Sequence, residues 1–163
     1  MVGVDLAKNG LIEVAVLVTD GELNVQDEGL DILIKTSPEQ LATMTDFVRD
    51  MHVKSGLLAE LETAETTMEQ AEQQILDYIK QYVPVSRKAP LAGNTIGTDR
   101  TFLAKEMPEL EAYLHYRNVD VSSVKELASR WYPKAFYQAP VKRGNHRALA
   151  DIQESIEELR YYR

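Results

Sequence analysis

The run Leu11-Ile12-Glu13-Val14-Ala15-Val16-Leu17-Val18-Thr19 constrains the fold more than any other part of the chain. It is rich in branched apolar residues and broken only by Glu13, so it reads as a buried strand rather than a half-solvated one. Asp20-Gly21 starts a turn. Leu30, Ile32 and Ile34 then alternate with Asp31, Leu33 and Lys35, the pattern of a second strand.

Helical signals follow. Ser37-Pro38-Glu39-Gln40 places Ser at a cap, Pro first and Gln three residues after the cap. Met68, Ala71, Ile75, Ile79 and Val83 predict an amphipathic helix over 67–82, with Pro84 just past its end. Pro90-Leu91-Ala92-Gly93-Asn94 reads as a short strand breaking into a loop, with a helix from about Thr98. Val119-Asp120-Val121 is a further strand, and Ser123 with Glu126 a capping box for the next helix, which Trp131-Tyr132-Pro133 ends. Lys134 to Asn145 reads as a loop. Ala148, Ile152, Ile156 and Leu159 mark a last helix. Strands first, then helices interleaved with short strands, predict a layered α/β domain. The 163 residues suit one domain, and no repeat or long linker divides them.

Composition narrows the chemistry. The net charge is −8, so the chain is poorly equipped to neutralise the phosphates of long nucleic acid. A nucleic-acid substrate would have to be short, or metal ions would have to supply the positive charge. There are no cysteines, which excludes disulfides and thiolate metal sites and suits a reducing cytosol. No apolar run approaches the roughly 20 residues that span a bilayer. Met1 to Gly10 lacks the basic and apolar regions of a secretory signal.

Three separated pieces carry candidate chemistry. In Gly93-Asn94-Thr95-Ile96-Gly97-Thr98-Asp99-Arg100, the glycines allow close backbone turns and Asp99 lies at a helix N-terminus. In His146-Arg147-Ala148-Leu149-Ala150-Asp151, a His precedes the last helix and an Asp sits one turn inside it. Carboxylate oxygens suit hard divalent ions, and a neighbouring His can take a proton from water. In the segment from His115 to Leu127, Ser122 and Ser123 lie at a helix N-terminus, and Arg117 could fork onto a phosphate. Taken singly, each piece also has an ordinary structural explanation: a favourable first-turn acid, a surface His, a capped helix.

Together they resemble a known family, the oligoribonucleases of the DEDDh 3′→5′ exonuclease group. The resemblance runs from Leu11 to Arg163 and is strongest at Ala89–Asn94, Leu114–Leu127, Arg130–Pro133, His146–Asp151 and Glu154–Arg163. It implies a ribonuclease H-like three-layer fold, with a central mixed sheet of about five strands flanked by helices. It also implies two divalent ions, Mg²⁺ or Mn²⁺, at the scissile phosphate. By the same resemblance Asp99 and Asp151 are metal ligands and His146 is the general base. Tyr116 is the active-site Tyr that reaches across a homodimer. Arg117, Ser122 and Thr95 cap the 5′ phosphate, Phe47 stacks on a base, and His52 helps hold the 3′ end. The implied substrates are RNAs of about two to five nucleotides, which phosphate capping and base stacking can hold.

The family's Asp-x-Glu pair is not intact, and two alignments compete. In one, Val2 to Leu6 is the first strand, Asp5 the first metal ligand, Ala7 stands at the Glu position, and Lys8-Asn9-Gly10 makes a tight hairpin. In the other, Met1 to Gly10 is the turn that follows a first strand, and that strand is absent. Under both the Glu is gone. The expected function is therefore 3′→5′ degradation of very short RNA, impaired by the altered acid set. The alternative is a dinucleotide-binding homologue without productive metal binding.

Overall fold

A computed structural model describes Gly3 and residues 5–140 and 147–163. Strand β1 (Glu13–Val16) pairs antiparallel with β2 (Leu30–Leu33), Glu13 opposite Leu33 and Val16 opposite Leu30. A bridge between Thr19 and Val25 extends the hairpin. Its turn is held by Asp20, whose Oδ1 accepts the N–H groups of Glu22 at 2.8 Å and Asn24 at 2.9 Å. Leu11 joins one buried cluster with Ile32, Ile34, Ile75 and Phe102, while Ile12 joins another with Met44, Leu57 and Leu61. Successive residues of an extended chain point to opposite faces. Leu11 and Ile12 are thus buried on opposite sides as the chain enters β1, whereas residues 14–19 are only half-buried, less than the apolar run predicts.

Helix α1 (Pro38–Leu41) starts where expected, with the Ser37 hydroxyl accepting the N–H of Gln40. Helices α2 (Asp46–Lys54) and α3 (Leu57–Leu61) fill a stretch in which the sequence pattern predicts no element. Helix α4 (Met68–Tyr82) carries a full capping box between Thr67 and Gln70, and buries Ala71, Ile75, Leu76 and Ile79. Tyr78 and Tyr82 on this helix both donate to Asp27, at 2.5 and 2.6 Å, pinning it to the chain before β2.

Strand β3 (Pro90–Gly93) leads into α5 (Ile96–Glu106) and α6 (Pro108–Tyr113). Strand β4 (His115–Asp120) lies parallel to β3 and runs directly into α7 (Val121–Trp131). Helix α5 therefore begins at Ile96, ahead of Thr98. The cap of α7 is Asp120 and not Ser123, because the helix starts as soon as β4 ends. Helix α8 (Pro133–Tyr137) occupies part of the expected loop, and α9 (Ala148–Tyr162) is the last helix. The four described strands form one antiparallel and one parallel pair. Helix α9 packs against β1, β2 and β3 and so spans both pairs. Among the described residues no helix is long and apolar enough to cross a membrane.

The N-terminal segment differs from the hairpin reading. Asp5 to Lys8 form a turn in which the carbonyl of Asp5 accepts the N–H groups of Lys8 and Asn9, at 3.1 and 2.8 Å. The Asn9 side chain is not exposed at a hairpin tip. It is buried, accepting from the Asp5 N–H at 3.0 Å and donating to Thr43 Oγ1 at 3.2 Å. The end of α5 draws the segment in: Lys105 Nζ donates to the Leu6 carbonyl at 2.8 Å, and Glu106 Oε2 accepts the Leu11 N–H at 2.8 Å. With those backbone groups taken, Asp5 and Leu6 are not in a strand.

Candidate active site

The parallel pairing of β3 with β4 brings their C-terminal ends side by side, Gly93 opposite Asp120. Both strands turn into helices there, and ligands of α/β sheets gather at such carboxyl ends. An open cleft of about 490 Å³ lies at this edge, lined by Thr95, Asp120, Ser122, Ser123, Glu126 and Leu127.

Thr95 is under backbone strain. It sits in the left-handed region at φ 54°, ψ 34°, a genuine outlier for a β-branched side chain. Its N–H donates to Asp120 Oδ1 and to Ser122 Oγ, each at 3.0 Å, which holds it there. Strain of this kind costs on the order of 1–3 kcal/mol and persists where the surroundings over-determine it.

The hydroxyls form a directed chain. Ser122 Oγ donates to Asn94 Oδ1 at 3.1 Å, and Asn94 Nδ2 donates to Ser155 Oγ at 2.7 Å. Ser155 Oγ in turn donates to the Asp151 carbonyl at 2.8 Å. Since Ser122 gives its one hydrogen to Asn94, Thr95 Oγ1 is the donor in its 3.2 Å contact with Ser122. The cleft is in this way tied through Asn94 to the first turns of α9. The sequence pattern gives Asn94, Asp120 and Ser155 no role of their own. Their signals are an Asn directly after a strand-ending Gly, and a Ser one turn beyond Asp151.

Asp99 lies in the first turn of α5, partly buried. Burial pushes its carboxyl above the ordinary aspartate range, against the opposing hydrogen bond from its own backbone. No Lys or Arg forms an ion pair with it among the described residues. Asp151 lies in the first turn of α9, exposed, its N–H donating to the Arg147 carbonyl at 2.9 Å. His146 falls outside the described residues.

Other expected site residues stand elsewhere. Tyr116 on β4 is 72% exposed; its ring stacks on His115 with centroids 4.5 Å apart, and the Arg117 guanidinium lies 5.3 Å from its centre. Phe47, 78% exposed, and His52, buried, share helix α2. Asp5 lies in the N-terminal turn with Lys8 3.5 Å away. Its neighbour Leu6 meets Lys105 in the last turn of α5, six residues or about 9 Å along the helix from Asp99. Among the described residues, no three His, Asp or Glu side chains converge as a metal-holding group. The geometry joins Thr95 and Ser122 directly and reaches Asp151 through Asn94 and Ser155. It does not join Asp5 to them.

An exonuclease family model matches residues 1–159. The chain is 70% identical to an oligoribonuclease of Cutibacterium acnes, over all of this chain and 80% of that protein. It is 61% identical to an oligoribonuclease of Streptomyces griseus, over all of this chain and 81% of that one. An oligoribonuclease of Leifsonia xyli is 56% identical, over all of this chain and 78% of that protein. The chain belongs to the oligoribonuclease family. Its α/β, ribonuclease H-like fold and its place among the nuclease hydrolases follow from that membership. Within an oligoribonuclease, the cleft at the ends of β3 and β4 is the part of the molecule where strained backbone, directed hydroxyls and a desolvated carboxylate lie on adjoining turns.

Proposed function

We propose that residues 1–163 form a single exonuclease domain that removes nucleoside 5′-monophosphates from the 3′ end of very short RNA. The observation that carries this reading is the directed chain from Thr95 and Ser122 through Asn94 and Ser155 to the start of α9. It ties a hydroxyl-lined cleft to the helix bearing Asp151, with Asp99 one turn beyond Thr95. Thr95, Ser122 and Arg117 hold the terminal 5′ phosphate. Phe47 stacks on a base and His52 steadies the 3′ end. The net charge of −8 fits substrates with few phosphates.

Two divalent ions, Mg²⁺ or Mn²⁺, suit the donors present. Asp99 is a carboxylate whose burial disfavours its charge, and no Lys or Arg among the described residues forms an ion pair with it. Asp99 and Asp151 would hold the ions with hard oxygen donors. When bound, such ions neutralise charge at a phosphate and lower the pKa of water. His146 takes the proton from the attacking water. Asp5, the remaining acid of the expected set, lies in the N-terminal turn beside Lys8. The protein acts in the cytoplasm as a homodimer, Tyr116 of each subunit completing the partner's site, as two-fold symmetry makes reciprocal.

The test is hydrolysis of a 5′-labelled dinucleotide in Mg²⁺ and in Mn²⁺. Release of labelled mononucleotide is expected, faster in Mn²⁺ because Mg²⁺ demands near-ideal octahedral geometry. Tight binding with no cleavage in either metal would instead identify a dinucleotide-binding homologue. For the shared site, mixing Tyr116→Phe chains with His146→Ala chains should restore activity that neither has alone.

A further inference from the structure

Three separate elements meet at Arg147. Its Nε donates to Glu13 Oε1 on β1 at 2.8 Å. Its Nη1 and Nη2 donate to the two oxygens of Glu60 on α3, at 2.8 and 2.9 Å. Glu13 is buried, and its second oxygen accepts the N–H of Ala148, the first residue of α9, at 3.2 Å. Arg147 is the N-cap of α9 but supplies no side-chain capping bond. A carboxylate from a distant strand therefore caps this helix.

The charges require one another. A buried carboxylate is costly unless it is paired and hydrogen-bonded. Asp31 on β2 adds to the crowding: burial and then the charge of Glu13 push its carboxyl upward. The hydrogen bonds to Glu60, followed by those to Glu13, hold the Arg147 guanidinium firmly charged. Three donors in a rigid fork, spread over two carboxylates on two elements, fix both the position and the rotation of the group. Lys could satisfy the charge but not the fork.

What this fixes is chemical. Arg147 directly follows His146 in the chain, and its carbonyl accepts the N–H of Asp151 at 2.9 Å. We propose that Arg147 is a positioning residue: the Glu13–Arg147–Glu60 latch sets the first turn of α9 and so aims Asp151 at the reacting phosphate. This rests on the metal-dependent exonuclease reading above.

The experiment compares the full chain with its Arg147→Lys and Glu60→Gln variants. Mn²⁺ affinity is read by calorimetry without nucleotide, kcat and KM on a dinucleotide, and thermal stability alongside. Residues that orient metal ligands typically change affinity or activity about 10–100-fold when altered. Arg147→Lys should weaken Mn²⁺ binding and lower kcat by about tenfold or more, with KM within about twofold. Glu60→Gln, which keeps the Glu13 contact, should show a smaller change of the same kind. If both variants keep the parent's Mn²⁺ affinity and its kcat per folded molecule while melting earlier, the latch is structural only and the inference fails, though the exonuclease reading stands. If the parent chain neither binds Mn²⁺ nor cleaves, that reading fails and takes the inference with it.

Discussion

Asn94 makes two hydrogen bonds through its amide, one accepted from Ser122 and one given to Ser155. Ser155 also makes two, the one accepted from Asn94 and the one given to the Asp151 carbonyl. Replacing either residue by Ala thus removes two bonds, and the 2.7 Å bond between them is common to both losses. At about 1 kcal/mol net per bond, each single variant should lose about 2 kcal/mol. The double variant removes three bonds, so it should lose about 3 kcal/mol rather than the sum of about 4. The coupling of about 1 kcal/mol lies within the range found for residues in direct contact. For a domain of this size, about 2–4 °C per kcal/mol places the single variants about 4–8 °C below the parent in Tm. Denaturant unfolding of the four proteins measures the cycle. Dinucleotide KM provides a second readout: Asn94→Ala should raise it more than Ser155→Ala, because only the former releases Ser122 at the cleft. If the two losses add within about 0.3 kcal/mol, the Asn94–Ser155 bond carries no energy and the link from cleft to α9 is refuted.

Asp99→Asn should stabilise the metal-free protein, since the folded state raises this group's pKa and so disfavours its carboxylate at neutral pH. The same variant should lose the gain from Mn²⁺, which at ten times Kd is about 1.4 kcal/mol, or about 3–6 °C; an undiminished metal-induced rise in Tm would remove Asp99 from the site. The Asp27 clamp predicts two limbs of pH dependence. Its hydrogen bonds from Tyr78 and then Tyr82 hold the Asp27 carboxyl below its ordinary range, so that contribution is present above the ordinary aspartate pKa and lost as pH falls through the depressed folded value. Tyr78, held above 10.0 by burial and then by Asp27, contributes fully below 10.0 and loses its contribution as pH rises toward its folded value. Asp27→Asn should remove the acid limb of a plot of Tm against pH and lessen the alkaline one, whose larger cause is the burial of Tyr78, and an unchanged plot would contradict the clamp. Asp5→Ala and Ala7→Glu should each leave Mn²⁺-dependent hydrolysis within about twofold, because the segment turns against the far end of α5; a clear gain from Ala7→Glu would mean instead that it reaches the metals.

Elements whose signals are local could be read in advance. The capping box at Thr67 and Gln70 and the apolar spacing of α4 lie within one helix, and the structure realises both. The same holds for Ser37 before α1 and for the short strand ending at Gly93. Helices α2 and α3 are short; Val48 of α2 and Leu57 and Leu61 of α3 meet Ile12 and Met44 in a cluster that no window of sequence displays.

The N-terminal turn and the hydrogen-bond chain at the cleft escape a local reading for a common reason. Asn9-Gly10 is a strong hairpin signal when the two residues are left to themselves. Here the Asn9 amide is engaged by Thr43, 34 residues away, and the backbone around it by Lys105 and Glu106 at the end of α5. Several long-range bonds outweigh a local preference that spans only about 1 kcal/mol. At the cleft the same forces act in the opposite sense. Thr is a poor residue for a left-handed backbone, yet Asp120 and Ser122, 25 and 27 residues away, both accept its N–H and hold it there. The residue types at Thr95, Ser122 and Asp151 could be picked out singly. Their joint meaning depends on Asn94 and Ser155, 61 residues apart in the chain, coming within 2.7 Å, and only the folded arrangement of β3 against α9 brings that about.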